Sequence, residues 1–288
     1  METENVSRER RESFLSLLDD PNPNVRTALL AHFSELGEPA RAFLREAAAQ
    51  PNRIIARHAV WYLDQMHVAD PVAEFRAFIR SFHYELESGA LLLARTVNPR
   101  LDVGACRSAF DTIAARCHEL IPEPATARGK CRVLNRVLFH EWSFRGNQEH
   151  YTDPLNSLID RVVERRKGIP LSLSLLYLFI AERVGLELEP VGIPGHFLVG
   201  SFTDDAVFFV DPFDRGVFRD PAEVFELLQA NHLDPQPADL APTPVREVLC
   251  RCCRNLTNHY HAAGDAVRAR LFASFVEEFE SAFEQHST

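Results

Sequence analysis

The stretch PLSLSLLYLFIAERVG, Pro170 to Gly185, constrains the fold more than any other part of the chain. It is apolar on nearly every side of its N-terminal half, and a helix of that kind must be enclosed by other elements. Proline suits the first turn of a helix, and Gly168 and Pro170 separate this helix from the preceding one. Past Gly185 the period changes from helical to alternating: LEPVGI, HFLVGS and AVFFVD read as strands. A buried helix followed by short strands predicts an α+β core with a small antiparallel sheet.

The flanking segments are helical. In LNSLIDRVVERRKG, the residues Leu155, Leu158, Ile159, Val162 and Val163 share one face, with Asp153 and Pro154 as the start and Gly168 as the stop. Residues 141–154 read as a polar loop. The basic run Arg161, Arg165, Arg166, Lys167 reads as a solvated face and helix C-terminus, with an anion site as the alternative. Near the N-terminus, PNPNVRTALLAHFSEL and PNRIIARHAVWYLDQM repeat at about 30 residues, which suggests stacked helical pairs or a plain bundle. Trp61 and Trp142 read as packing residues. After the strands come three more helices, the last two joined at Ala263-Gly264-Asp265.

His196 and Asp211 border the last two apolar strands. With Ser201 paired to Ala206 across the FTDD loop, His196 stands directly opposite Asp211. Such a pair either orients an imidazole for chemistry or ties two strand ends together. Asn147, Tyr151 and Asn156 sit in the loop ahead of the central helix, either lining a groove over His196 or serving as turn and cap residues.

Composition removes several classes. Asp and Glu number 41 against 31 Lys and Arg, a net charge of −10, which argues against a general nucleic-acid binder. No apolar run reaches the roughly 18 residues of a membrane span, and the N-terminus lacks a signal-peptide pattern, so a cytoplasmic protein is expected. The six cysteines form no disulfide framework. Cys250, Cys252 and Cys253 with His259 and His261 lie within a helical pattern and lack a second ligand half-site, so no metal and no cofactor are expected.

The motifs Asn156-Ser157, Arg166-Lys167-Gly168-Ile169-Pro170 and Pro194-Gly195-His196-Phe197, with FFVDPF and the preceding LESGALLLART, resemble the Sir-B-one family over about residues 72–285. That resemblance implies a transglutaminase-like (papain-like) core followed by tetratricopeptide-like helices. RCCRNLTNHY then resembles a family helix in which Cys252 and Cys253 replace Met and Leu. DDPNPNVRTALLAHFSELG resembles HEAT repeats. The resulting division is a HEAT-like extension over 1–68, the core over 69–235 and a helical tail over 236–288.

In the wider superfamily a Cys opens the central helix, and His and Asp follow on strands. His196 and Asp211 match the latter two. The thiol position, fifteen residues before Gly185, holds Pro170. Ser172, turned by about 200° from it on the helix, is a candidate binding residue together with Asn147, Tyr151 and Asn156. The resemblance therefore implies a groove that has lost its thiol and serves a protein or peptide partner. The alternative is a hydrolase or acyltransferase acting on peptide or amide bonds with His196 and Asp211. It would use an unconventional nucleophile or a water, with Glu141, Asp153 or Tyr151 as the helping group.

Overall fold

The computed structural model describes residues 8–67, 70–203, 207–230, 232 and 234–284. The chain forms two compact units, residues 1–73 and 74–288.

The first unit holds α1 (Arg8–Leu17), α2 (Pro23–Leu36), α3 (Glu38–Ala48) and α4 (Arg53–His67). Asparagine side chains cap the starts of α2 and α4 in the same way. Asn22 Oδ1 accepts from the Asn24 amide and Asn52 Oδ1 from the Ile54 amide. Phe14, Phe33, Phe43 and Tyr62 form the aromatic centre, with Phe33 set edge-on to both Phe14 and Tyr62. Trp61 departs from the packing role expected for it: its ring meets Tyr62 edge-on but stays 42% exposed.

α5 (Pro71–Ser81) leads into the second unit, followed by α6 (Leu86–Arg95), α7 (Val103–Leu120) and α8 (Ala127–Asn135). A π-helical turn, Arg136–Glu141, extends α8. Then come β1 (Arg145–Gly146), a 3-10 turn Pro154–Ser157, α9 (Ile159–Arg165) and β2 (Lys167–Gly168). The central helix, α10 (Pro170–Arg183), follows with Pro170 at its first position and every residue from Pro170 to Ala181 buried. The strands are β3 (Glu189–Val191), β4 (Leu198–Ser201), β5 (Phe208–Asp211) and β6 (Val217–Arg219). They form one antiparallel sheet in chain order, while β1 and β2 pair in parallel. α11 (Pro221–Ala230), α12 (Val245–Ala262) and α13 (Ala266–Glu284) complete the chain.

The fold is thus mostly helical α+β. α10 packs against β3 and β4. Val191, Ile193, Leu198 and Phe209 of the sheet region share a core with Val224 and Leu228 of α11. Burying apolar strand faces between helices is the driving term for such a layered core.

Two expectations are corrected. The single helix expected over 155–167 is broken at Leu158, whose backbone is extended (φ −99°, ψ 121°). The cause is local: Asn156 O accepts from the Ser172 hydroxyl at 2.5 Å, so a side chain takes a carbonyl that a helix ladder would use. Gly168 does not end that helix either. Arg166 adopts the left-handed capping conformation at φ 56°, and Gly168 continues into β2, where its carbonyl accepts from the Asn147 amide.

Candidate functional site

The site is built on a turn and the end of a strand. Gly195, at φ 73°, lets the chain reverse between Ile193 and His196, whose amide donates to Ile193 O. Arg251 of α12 holds this turn from outside. Its Nη2 donates to both Ile193 O and His196 O at 2.9 Å, and its guanidinium lies 5.5 Å from the Phe197 ring centre. Burial pulls the Arg251 pKa below its ordinary value, a sign of how far this cation is withdrawn from water. Ser174 of α10 donates to Phe197 O on the next residue.

Asp211 ends β5 and is only 2% exposed. One carboxylate oxygen accepts from the Phe213 and Asp214 amides, both at 3.2 Å. The other accepts from His196 Nε2 at 2.9 Å and lies 3.5 Å from Arg219 Nη2. An imidazole that donates from Nε2 to a carboxylate keeps a lone pair on Nδ1 when neutral.

The predicted His196–Asp211 pair therefore forms, but by a different register. Ser201 pairs with Phe208, and Ala206 lies outside the described residues. The shift is two residues, so every side chain keeps its face. His196 lies outside β4 and reaches Asp211 obliquely instead of from the directly opposed position.

The pair borders a cavity of about 390 Å³ whose apolar wall is Ile193, Pro194, Leu227 and Leu228, with Arg219 beside the two polar residues. Pockets with an apolar wall and a few convergent polar groups are the usual form of binding sites.

The other candidates are placed as follows. Asn147 Nδ2 donates to Asn156 Oδ1, and Asn156 Nδ2 donates to the carbonyls of His150 and Tyr151. Their amides hold the 147–156 loop. Ser172 is 1% exposed, accepts from the Ile169 amide and donates to Asn156 O, so it caps α10. Tyr151 is 41% exposed and meets Phe213 edge-on, and Phe213 meets His196 in the same way. Glu141 is bound by Arg116 and Arg136, and Asp153 by Arg165; neither lines the His196 cavity. Arg219, Arg251 and Phe213 were missed by the sequence reading. Phe213, in the DPF of FFVDPF, carried a nearby signal, whereas Arg251 carried none.

The cysteines lie in α7, α8 and α12, and all but Cys106 are buried. Burial pushes Cys117 and Cys252 up to about 12 and Cys131 and Cys250 up to about 11. Such thiols carry almost no thiolate at neutral pH. Iodoacetamide labelling of the native chain is expected to modify Cys106 alone, and slowly. In denaturant all six thiols should react, as counted by intact mass.

A transglutaminase-like superfamily profile matches residues 104–254, more than half of the chain. The chain belongs to the transglutaminase-like superfamily. It is similar to a protein named UPF0162 protein from Xylella fastidiosa (strain 9a5c), 35% identical over 181 residues, 61% of this chain. That match takes in 64% of the Xylella protein, so the chain spans less than two thirds of this relative. A Vibrio cholerae protein of the same name is 28% identical over 131 residues, 45% of this chain and 48% of that protein. Mouse F-box only protein 21 is 29% identical over 171 residues, half of this chain but 26% of that protein. No solved structure matches. Among the described residues, no helix is long and apolar enough to cross a membrane.

Proposed function

We propose that this transglutaminase-like domain, of the Sir-B-one type, is a binding module that holds a peptide segment of a partner protein beside His196 without thiol chemistry. One observation carries the reading: the cavity beside the His196–Asp211 pair has no Cys, Ser, Thr or Lys among its described lining residues. The superfamily's thiol position holds Pro170, which is buried at the start of α10 and has no nucleophilic atom. The apolar wall of Ile193, Pro194, Leu227 and Leu228 suits an apolar side chain of the bound segment, and His196 and Arg219 supply polar anchors. The HEAT-like helices before the domain and the tetratricopeptide-like pair after it offer further protein-binding surface, in a cytoplasmic setting.

The second reading is a hydrolase of peptide or amide bonds in which His196 activates a water. The Nε2–carboxylate bond favours it, because it leaves Nδ1 as the basic atom.

A peptide array probed with the intact chain separates the two. Bound peptides are expected to lose about tenfold in affinity in His196→Ala, the loss of one good polar contact, and to be recovered uncut by mass spectrometry. Cleaved peptides that disappear with His196→Ala would overturn the binding reading in favour of hydrolysis. Unchanged binding by His196→Ala would remove the cavity from either role.

A further inference from the structure

A second cavity, of about 300 Å³, lies where β1, β2 and the turn between β5 and β6 meet. Its lining includes Arg145, Lys167 and Arg215. The chain is rich in carboxylates, and most cations of the second unit are claimed by them. Arg161 binds Asp160 and Glu164, Arg165 binds Asp153, Arg183 binds Glu87 and Asp111, and Arg254 binds Glu247 and Glu280. Arg166 lies over the Trp142 ring. Among the described residues, Arg145, Lys167 and Arg215 have no such partner, and they line the same cavity.

Their placement also runs against the local rules of structure. Arg145 is the registered partner of Lys167 across the parallel β1–β2 pair, so two cations stand directly opposite each other. Neighbouring strands are only about 4.8 Å apart, and like charges so placed repel. Arg215 occupies the left-handed region at φ 51°, where a non-glycine residue is disfavoured. Glu149 and Asp214 also line the cavity, but Asp214 is bound by Arg219 at 3.3 Å. Gly146 and Phe213 also line it, packed so closely that a Cβ at Gly146 would run into the Phe213 ring. Repulsion and backbone cost gathered at one concave place are a mark of function where no packing gain offsets them.

We propose that this cavity is an anion-binding site for a phosphate or carboxylate group, gripped by Arg145, Lys167 and Arg215. Two arginines and a lysine match the donor geometry of such oxyanions. The site lies across Phe213 from His196 and does not depend on the peptide reading of that cleft.

The test is thermal melting of the full chain in potassium phosphate, sodium succinate or potassium chloride at matched ionic strength. Phosphate or succinate is expected to raise the Tm saturably up to about 10 mM, as linkage requires of a ligand of the folded state. Phosphate acting alone assigns a phosphate-bearing ligand; succinate acting alone assigns a carboxylate. Arg145→Gln and Lys167→Gln should each weaken binding about tenfold, the loss of one charged hydrogen bond. Without added anion both variants should melt no lower than the parent, because each relieves the Arg145–Lys167 repulsion. Arg100→Gln, outside the cavity, should leave binding unchanged. No saturable rise with either anion, or binding by the two cavity variants as tight as by the parent, would overturn the site.

Discussion

Asp211→Ala is expected to cost the second unit about 4 kcal/mol of stability, the range for stripping a buried charge from its partners. The carboxylate is nearly inaccessible and serves four groups at once: the Phe213 and Asp214 amides, His196 Nε2 and Arg219. Truncation leaves the Phe213 and Asp214 amides without the carboxylate oxygen they share. Arg219 suffers twice, because its Nε is already buried without a partner. Asp211→Asn keeps an oxygen for the two amides and loses only the charge, so about 1–2 kcal/mol is expected. His196→Ala should cost less than about 1 kcal/mol, because its side chain is 21% exposed and leaves behind a carboxylate that still has three partners. Urea unfolding followed by circular dichroism gives the order. If His196→Ala is as damaging as Asp211→Ala, the imidazole is a strut and neither reading of the cleft survives.

Arg183→Ala is expected to cost about 3 kcal/mol, for a reason remote from the cleft. Glu87 of α6 is 7% exposed and is held by Arg183 at 2.6 Å and by Arg107 of α7 at 3.0 Å. Arg183, at the end of α10, also binds Asp111 at 2.7 Å and lies over Phe110, both on α7. Its removal loosens three helices and leaves the Glu87 carboxylate with one partner. Arg183→Lys should recover only part of the loss, since an ammonium cannot reproduce the forked contact. The double variant Glu87→Leu/Arg183→Met should fall within about 1 kcal/mol of the parent, because apolar packing substitutes well for a buried pair. Urea midpoints of the four proteins test this. A double variant as weak as Arg183→Ala would show that the pair itself supplies the stability.

Elements with a strong local pattern were legible in the sequence. The apolar circumference of α10 and its proline start are visible in residues 170–181, and the structure buries all of them. The alternation that marks β3, β4 and β5 was equally plain. β6 was not foreseen, because Val217–Arg219 is three residues long and follows a polar turn. The His196–Asp211 pair was anticipated with the wrong hairpin register. The error cost nothing in facing because strand periodicity is two, and the register moved by two. The helix break at Leu158 could not be read locally, since it depends on Ser172 reaching back to Asn156. The same holds for Arg251 and Arg219: each is an unremarkable basic residue until the fold carries it to the cleft.

The grip of Arg251 on the Ile193–His196 turn spans 55 residues of chain, from His196 to Arg251. On a ribosome, where the N-terminal parts of a chain emerge and begin to fold first, the turn leaves the exit tunnel well before its clamp. The cleft therefore matures late, after α12 has been made. A nascent chain interrupted before Arg251 would carry His196 and Asp211 in full and still lack the shape that lets them work together.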